Sequence, residues 1–148
     1  MIESIVWWVI RRGRSPNTVR SSTVGRFGEW LASIHYRRCG FRILARNRRI
    51  AGVEIDLLAR APRMRSVILA EVKTSTTGVS GLRRIDRGRQ ERMVRAASAL
   101  ESSGSLELHA VDVDLSRARP RVRIAVVTPC GRRLVRFTGR RISLRRSR

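Results

Sequence analysis

From Val24 onward apolar residues return at helical spacing, with Val24, Phe27, Leu31 and Ile34 on one stripe. Ser22 or Thr23 can cap this helix, and Gly40 can stop it just after Cys39. The pattern then shortens to that of strands. Phe41–Arg46 reads as a first strand, with Asn47-Arg48-Arg49 as a turn or strand end. Ile50–Ala59 reads as a second, with Gly52 marking a bulge or a close backbone approach. Pro62 falls in the turn to a third strand, Val67–Thr74, and the three suit an antiparallel meander. A Ser/Thr/Gly loop, 75–82, follows. Helical spacing resumes from about Arg84 to Ser102, where Met93, Ala96, Ala97 and Leu100 form a core face. Leu106–Leu115 and Arg121–Thr128 are two further strands, joined through Ser116–Pro120. The order α-β-β-β-α-β-β predicts an α/β domain, a mixed sheet flanked by helices. Residues 22–128 form that domain. Residues 1–21 read as an arm, either loosely packed or a nucleic-acid or dimer contact. Residues 129–148 read as an arginine-rich tail with a short strand at Leu134–Phe137.

Polar residues break this pattern in one region. Asp56 and Glu71 stand within apolar strand runs, and Lys73 follows Glu71 by two residues. Lys73 is the only lysine among 33 basic residues. Arginine and lysine differ in shape, hydration and pKa, so a role that arginine cannot fill explains the exception. Strand alternation puts Glu71 and Lys73 on one face, and Glu54 and Asp56 on one face. If the strands pair, Asp56, Glu71 and Lys73 converge at one end of the sheet. Carboxylate oxygens suit Mg²⁺ or Mn²⁺, and a lysine can orient or help deprotonate a water that the cation polarises. The spacing Asp56-x14-Glu71-x-Lys73 has the form of the PD-(D/E)xK nuclease motif. The same residues would also serve as a solvated, salt-bridged strand end.

Other charged positions admit two readings. Glu29 is the first helix's one acid. The helical wheel sets it roughly opposite the apolar stripe, yet its small neighbours Gly25, Gly28 and Ala32 would let a phosphate or another backbone approach. On the second helix Arg83, Arg84, Arg87 and Arg89 offer phosphate contacts or a solvated face, and Gln90 lies at the edge of the apolar face. Asp112 and Asp114 form a second metal pair or, in preference, an edge or arginine-paired feature.

Composition narrows the class. A net charge of +22 implies a polyanionic partner, nucleic acid before an anionic membrane or acidic protein. A structural ribonucleoprotein component would carry the same charge. Cys39 and Cys130 lack zinc-site spacing and suit a reduced, cytoplasmic protein. His35 and His109 are isolated. No apolar run reaches membrane-spanning length, and Ile5–Ile10 lacks the features of a signal peptide.

Gly28-Glu29, Gly-Phe-x-Ile-Leu-x-Arg-Asn at 40–47, Glu54–Ala59, Glu71-Val72-Lys73 and Arg-Ala-Ala at 95–97 together resemble the YraN family of predicted bacterial endonucleases. The archaeal Holliday junction resolvases are a more distant likeness. The resemblance implies the restriction-endonuclease-like fold and a Mg²⁺-dependent nuclease, with DNA favoured over RNA. It carries catalytic and metal-holding roles onto Glu29, Asp56 and Glu71, and a catalytic role onto Lys73. It also implies a homodimer as one arrangement in which two sites cut two strands. Val53 departs from the family's usual glycine, and Thr74 from its usual arginine.

Overall fold

The computed structural model describes residues 21–62, 66–84, 87–100, 106–128, 131–138 and 141–143. Helix α1 (Ser21–Arg38) precedes strands β1 (Arg42–Ile50), β2 (Val53–Arg60) and β3 (Val67–Ser75). A 3₁₀ turn (Gly81–Arg84) and helix α2 (Arg87–Ser98) lead to β4 (Leu106–Asp114), β5 (Arg121–Thr128), β6 (Gly131–Thr138) and β7 (Arg141–Ser143). The seven strands lie side by side in chain order. Every neighbouring pair is antiparallel except β3 and β4, which run parallel. A parallel pair needs a crossover, and the segment carrying α2 supplies it. The α/β class and mixed sheet expected from the pattern are therefore present, and the short strand expected at Leu134–Phe137 lies within β6. The Ile5–Ile10 run and Cys130 lie outside the described residues.

α1 ends as its sequence predicts. Gly40 adopts φ +87°. Its N–H donates to Arg37 O, and the Phe41 N–H donates to Tyr36 O. This is the Schellman pairing, and its usual apolar contact is supplied by the Tyr36 and Phe41 rings, edge to face at 5.1 Å. The aromatic contact fixes the angle at which the chain enters β1.

Of the two readings of 47–49, turn or strand end, the structure has the strand end. β1 runs on to Ile50, which pairs with Val53 across the two-residue loop Ala51-Gly52. Both loop residues have positive φ, 48° and 78°, as a type I′ hairpin requires. Gly52 is thus a turn residue, and the bulge falls instead between Ile43 and Ala45. Alanine is strained in this left-handed conformation. Ala51→Asn, which restores the preferred Asn-Gly pair, should raise unfolding stability by about 0.5–1 kcal/mol in urea titration.

The sheet is covered on both faces. Phe27, Ala32 and Tyr36 of α1 pack with Leu57, Ala59, Ile68, Ala70, Val72, Val111 and Val113. Met93, Ala96 and Ala97 of α2 pack with Ile50, Val53, Ile55, Leu58, Val67 and Leu69. Ile68 and Leu69 are almost fully buried on opposite faces, each worth about 1.5–3 kcal/mol of burial. His109 belongs to this interior: it is fully buried, with Nδ1 2.7 Å from the Tyr36 hydroxyl and Nε2 3.1 Å from Glu107 Oε2.

Candidate active site

β2 and β3 pair from Arg60↔Val67 to Leu57↔Ala70, and the ladder stops there. One step further it would set Asp56 directly against Glu71. Like charges opposed across a strand pair repel. The strands part at this point, and the Asp56 side chain takes over a ladder bond, with Oδ2 accepting the Val72 N–H at 2.7 Å. The phase of β2 also slips here. Ile55 packs on the α2 side and Leu57 on the α1 side, although a regular strand would set both on one face. Asp56 therefore stands in the gap between the strands and can be reached from both layers.

Glu71 is buried, 3% exposed, on the α2 side of β3. Lys73 Nζ donates to its Oε1 at 2.7 Å. Arg89 donates to its Oε2 through Nε at 3.0 Å and Nη2 at 2.5 Å. Arg89 Nη2 also donates to the Glu54 carbonyl at 2.7 Å. One guanidinium thus ties the first turn of α2 to both parted strands. Arg89 was expected among the phosphate contacts; the geometry makes it the counter-ion of a buried acid.

Glu29 reaches the same gap from α1. The helix comes close enough because residue 28 is glycine: a Cβ there would lie 1.8 Å from Thr74 Oγ1. The wheel reading, which left Glu29 solvated, does not hold, because the helix lies almost against the sheet beside it. Glu29 Oε2 is buried and lacks a hydrogen-bond partner among the described residues. Burial raises the Glu29 pKa, opposed by a hydrogen bond from the Asn47 side chain and by the Arg46 charge. Asp56 is raised further, to about 7, first by burial and then by the Glu71 charge. The Val72 N–H and Arg89 pull it down, and Glu29 pushes it up.

The site is thus two carboxylates deficient in positive charge beside one that is fully engaged. Among the described residues no three His, Cys, Asp or Glu side chains gather as a complete ligand set for an ion. Asp56 and the unpartnered Glu29 oxygen nevertheless fit a hard cation, which would relieve the burial and mutual repulsion of both. Glu71 fits as a further ligand once Lys73 or Arg89 yields an oxygen.

The loop after β3 closes over Lys73. The Gly81 N–H donates to Asp112 Oδ1 at 2.7 Å, while Arg123 holds Asp112 Oδ2 through Nε at 2.9 Å and Nη2 at 2.5 Å. Asp112 is fully buried on the central strand β4, so it is arginine-paired but not at a sheet edge. Asp114 is engaged by the Ser116 N–H and hydroxyl at 2.9 and 2.6 Å. A Cβ on Gly81 would lie 2.5 Å from Lys73 Cβ and 3.3 Å from Asp112 Oδ1. Gly81→Ala should therefore displace Lys73 and cost about 1–3 kcal/mol in denaturant unfolding.

Within the Ser/Thr loop the Thr77 and Leu82 N–H groups donate to the Ser75 and Ser80 hydroxyls. Arg87 makes an exposed ion pair with Glu91. Gln90 lines a groove of about 830 Å³ between α2 and β4–β5, together with Val94, Ala97, Leu106, Leu108 and Val126. Arg83 and Arg84 belong to the 3₁₀ turn rather than to α2, and their side chains lie outside the described residues. Sequence reasoning passed over Asn47 and Arg123, and it did not identify Arg89 as the partner of Glu71. No described helix is long and apolar enough to cross a membrane.

Comparison with known proteins agrees with the span of the site. A protein from Mycobacterium sp. (strain KMS), named UPF0102 protein, is 40% identical over 75 residues, 50% of this chain and 54% of its own. The chain thus spans about half the length of that relative. One from Syntrophotalea carbinolica, of the same name, is 33% identical over 110 residues, covering 74% of this chain and 82% of its own. Residues 28–128 match the model described as "Uncharacterised protein family UPF0102". That span runs from Gly28 through Glu29, Asp56, Glu71, Lys73 and Arg89, and the chain belongs to this family.

Proposed function

We propose that the protein is a Mg²⁺- or Mn²⁺-dependent endonuclease that hydrolyses phosphodiester bonds in DNA, with structured or branched DNA as its preferred class. The observation that carries this is the parting of β2 and β3, which gathers Asp56, Glu71 and Lys73 beside the unpartnered Glu29 oxygen. Asp56 and Glu29 would hold the cation, with Glu71 joining them. When bound, the cation supplies Lewis-acid polarisation and charge neutralisation at phosphorus. Lys73, one-third exposed, is the accessible donor of the site. Its ammonium, held in place by Glu71, would orient the attacking water by donating a hydrogen bond to it. DNA charge is met by the arginine-rich surface, and the chain works in the cytoplasm, as a homodimer where two strands are cut.

The test is a cleavage assay on a four-way junction, a flap, linear duplex, single-stranded DNA and RNA, with Mg²⁺, Mn²⁺ or EDTA. Cutting should require the cation and fall roughly 10²–10⁴-fold in Lys73→Ala, with DNA affinity retained. Equal loss of binding and cutting would refute that division of labour.

One observation favours a second reading, a nucleic-acid-binding protein without catalysis. Both Glu71 oxygens are already engaged by Lys73 and Arg89. On that reading DNA binds in a salt-sensitive way and no cation produces cutting.

A further inference from the structure

The β1–β2 hairpin gathers cations in an unusual way. Residues 46–49, Arg-Asn-Arg-Arg, are all exposed although they lie within a paired strand. A strand with one covered face would bury every second side chain. β1 is also an outer strand of the sheet. Among the acids, Glu54 faces Arg49 across the pair and Glu29 lies near Arg46. Arg48 faces Ile55, and no described acid forms an ion pair with it. On α2, Arg87 is engaged by Glu91 and Arg89 by Glu71, and the exposed Arg92 and Arg95 lie beyond Arg89 along the helix.

Position adds to charge. Arg46, Arg48 and Arg49 pair with Leu57, Ile55 and Glu54, the residues on either side of Asp56. Glu54 stands two residues, about 7 Å, from Asp56 along the strand. A duplex advances about 3.4 Å per nucleotide along each strand. From Leu57 to Glu54 the paired positions run across Asp56 over three residues, about 10 Å, so the three arginines bracket about three nucleotides around a phosphate placed at Asp56. Asn47, between them, hydrogen-bonds Glu29 and links the hairpin to the acids.

We propose that this hairpin, through Arg46, Arg48 and Arg49, is the surface that grips the sugar–phosphate backbone of a DNA duplex beside the acid cluster, and that α2 is not. Planar guanidiniums suit bidentate contact with phosphate oxygens. The inference rests on the nucleic-acid part of the proposed function and not on catalysis.

The test measures binding of the full chain to a fluorescently labelled duplex in EDTA, between 50 and 200 mM salt. Two triple variants are compared with the wild type: Arg46, Arg48 and Arg49 each to Ser, and Arg87, Arg92 and Arg95 each to Ser. Each phosphate that an arginine neutralises adds roughly 0.9 to the salt slope, so the hairpin variant should show a slope smaller by about 2.7. Its affinity at low salt should fall at least roughly tenfold, because fewer counterions are released on binding. The α2 variant should stay near wild type. Arg48→Ser alone should lower the slope by about 0.9, and lysine at all three positions should restore it. A wild-type slope in the hairpin variant, or an equal reduction in the α2 variant, would overturn the inference. Absence of wild-type binding would remove both it and the nucleic-acid reading. Hairpin-dependent binding without cleavage under any cation would remove the nuclease reading and keep this one.

Discussion

Asp56→Asn is expected to abolish cation-dependent cleavage and, at pH 8, to be more stable than the wild type. The two outcomes share one cause. The folded protein holds Asp56 near pKa 7, above its ordinary value of 3.8, because the carboxyl is buried beside Glu71 and Glu29. Below pH 4 the group is protonated in both folded and unfolded chains and has no effect. Between pH 4 and 7 the unfolded chain releases its proton while the folded chain keeps it, so stability falls as pH rises. The slope is at most about 1.4 kcal/mol per pH unit for one proton. Asparagine never ionises and still offers an oxygen to the Val72 N–H. Thermal melts should therefore show variant and wild type alike near pH 4, with the variant ahead by a margin that grows to pH 8. Adding Mn²⁺ at pH 8 should raise the wild-type melting temperature and leave the variant unmoved. A wild type that gains stability from pH 4 to 8 relative to the variant would contradict this account of Asp56.

Arg89→Met should destabilise the fold more than any other single change considered, by about 3–5 kcal/mol, because it strips a buried carboxylate of one of its two cations. Glu71 would keep only Lys73, and the Glu54 carbonyl would lose its donor. Adding Glu71→Gln to this variant removes the stranded charge and should recover much of the loss. Urea unfolding of both single variants and the double gives the coupling directly. If the single variant loses under 1 kcal/mol, Arg89 is not the counter-ion described. The variant that stays folded at low temperature carries a second expectation: Glu71 Oε2 is released, and Mn²⁺ should stabilise it more than it does the wild type.

The catalytic candidates on β2 and β3 are legible in the sequence for a physical reason. Apolar strands tolerate acids poorly, so Asp56 and Glu71 stand out, and a lone lysine among arginines marks Lys73. Glu29 is legible only in part. A helical wheel measures direction from the helix axis, and the close approach at Gly28 lies outside what it can register. The Ala51-Gly52 turn is hidden because the residue pair that announces a type I′ loop is Asn-Gly, and here alanine accepts the strained conformation. Arg89 is hidden for the opposite reason. In a helix dense with arginine, nothing in the spacing separates the one that turns inward to Glu71 from those that face solvent. The Asp112–Arg123 pair joins residues brought together only by the β4–β5 register, in which they are direct partners.

The bond from Val72 to Asp56 has a consequence for observing this chemistry. A backbone amide that would have donated to a neighbouring strand's carbonyl instead donates to a titrating carboxyl. Its proton resonance and exchange rate are tied to the charge at Asp56, so one peptide group in the middle of a rigid strand serves as a gauge of the site. Protonation or a captured cation would register at that nitrogen even when no substrate is turned over.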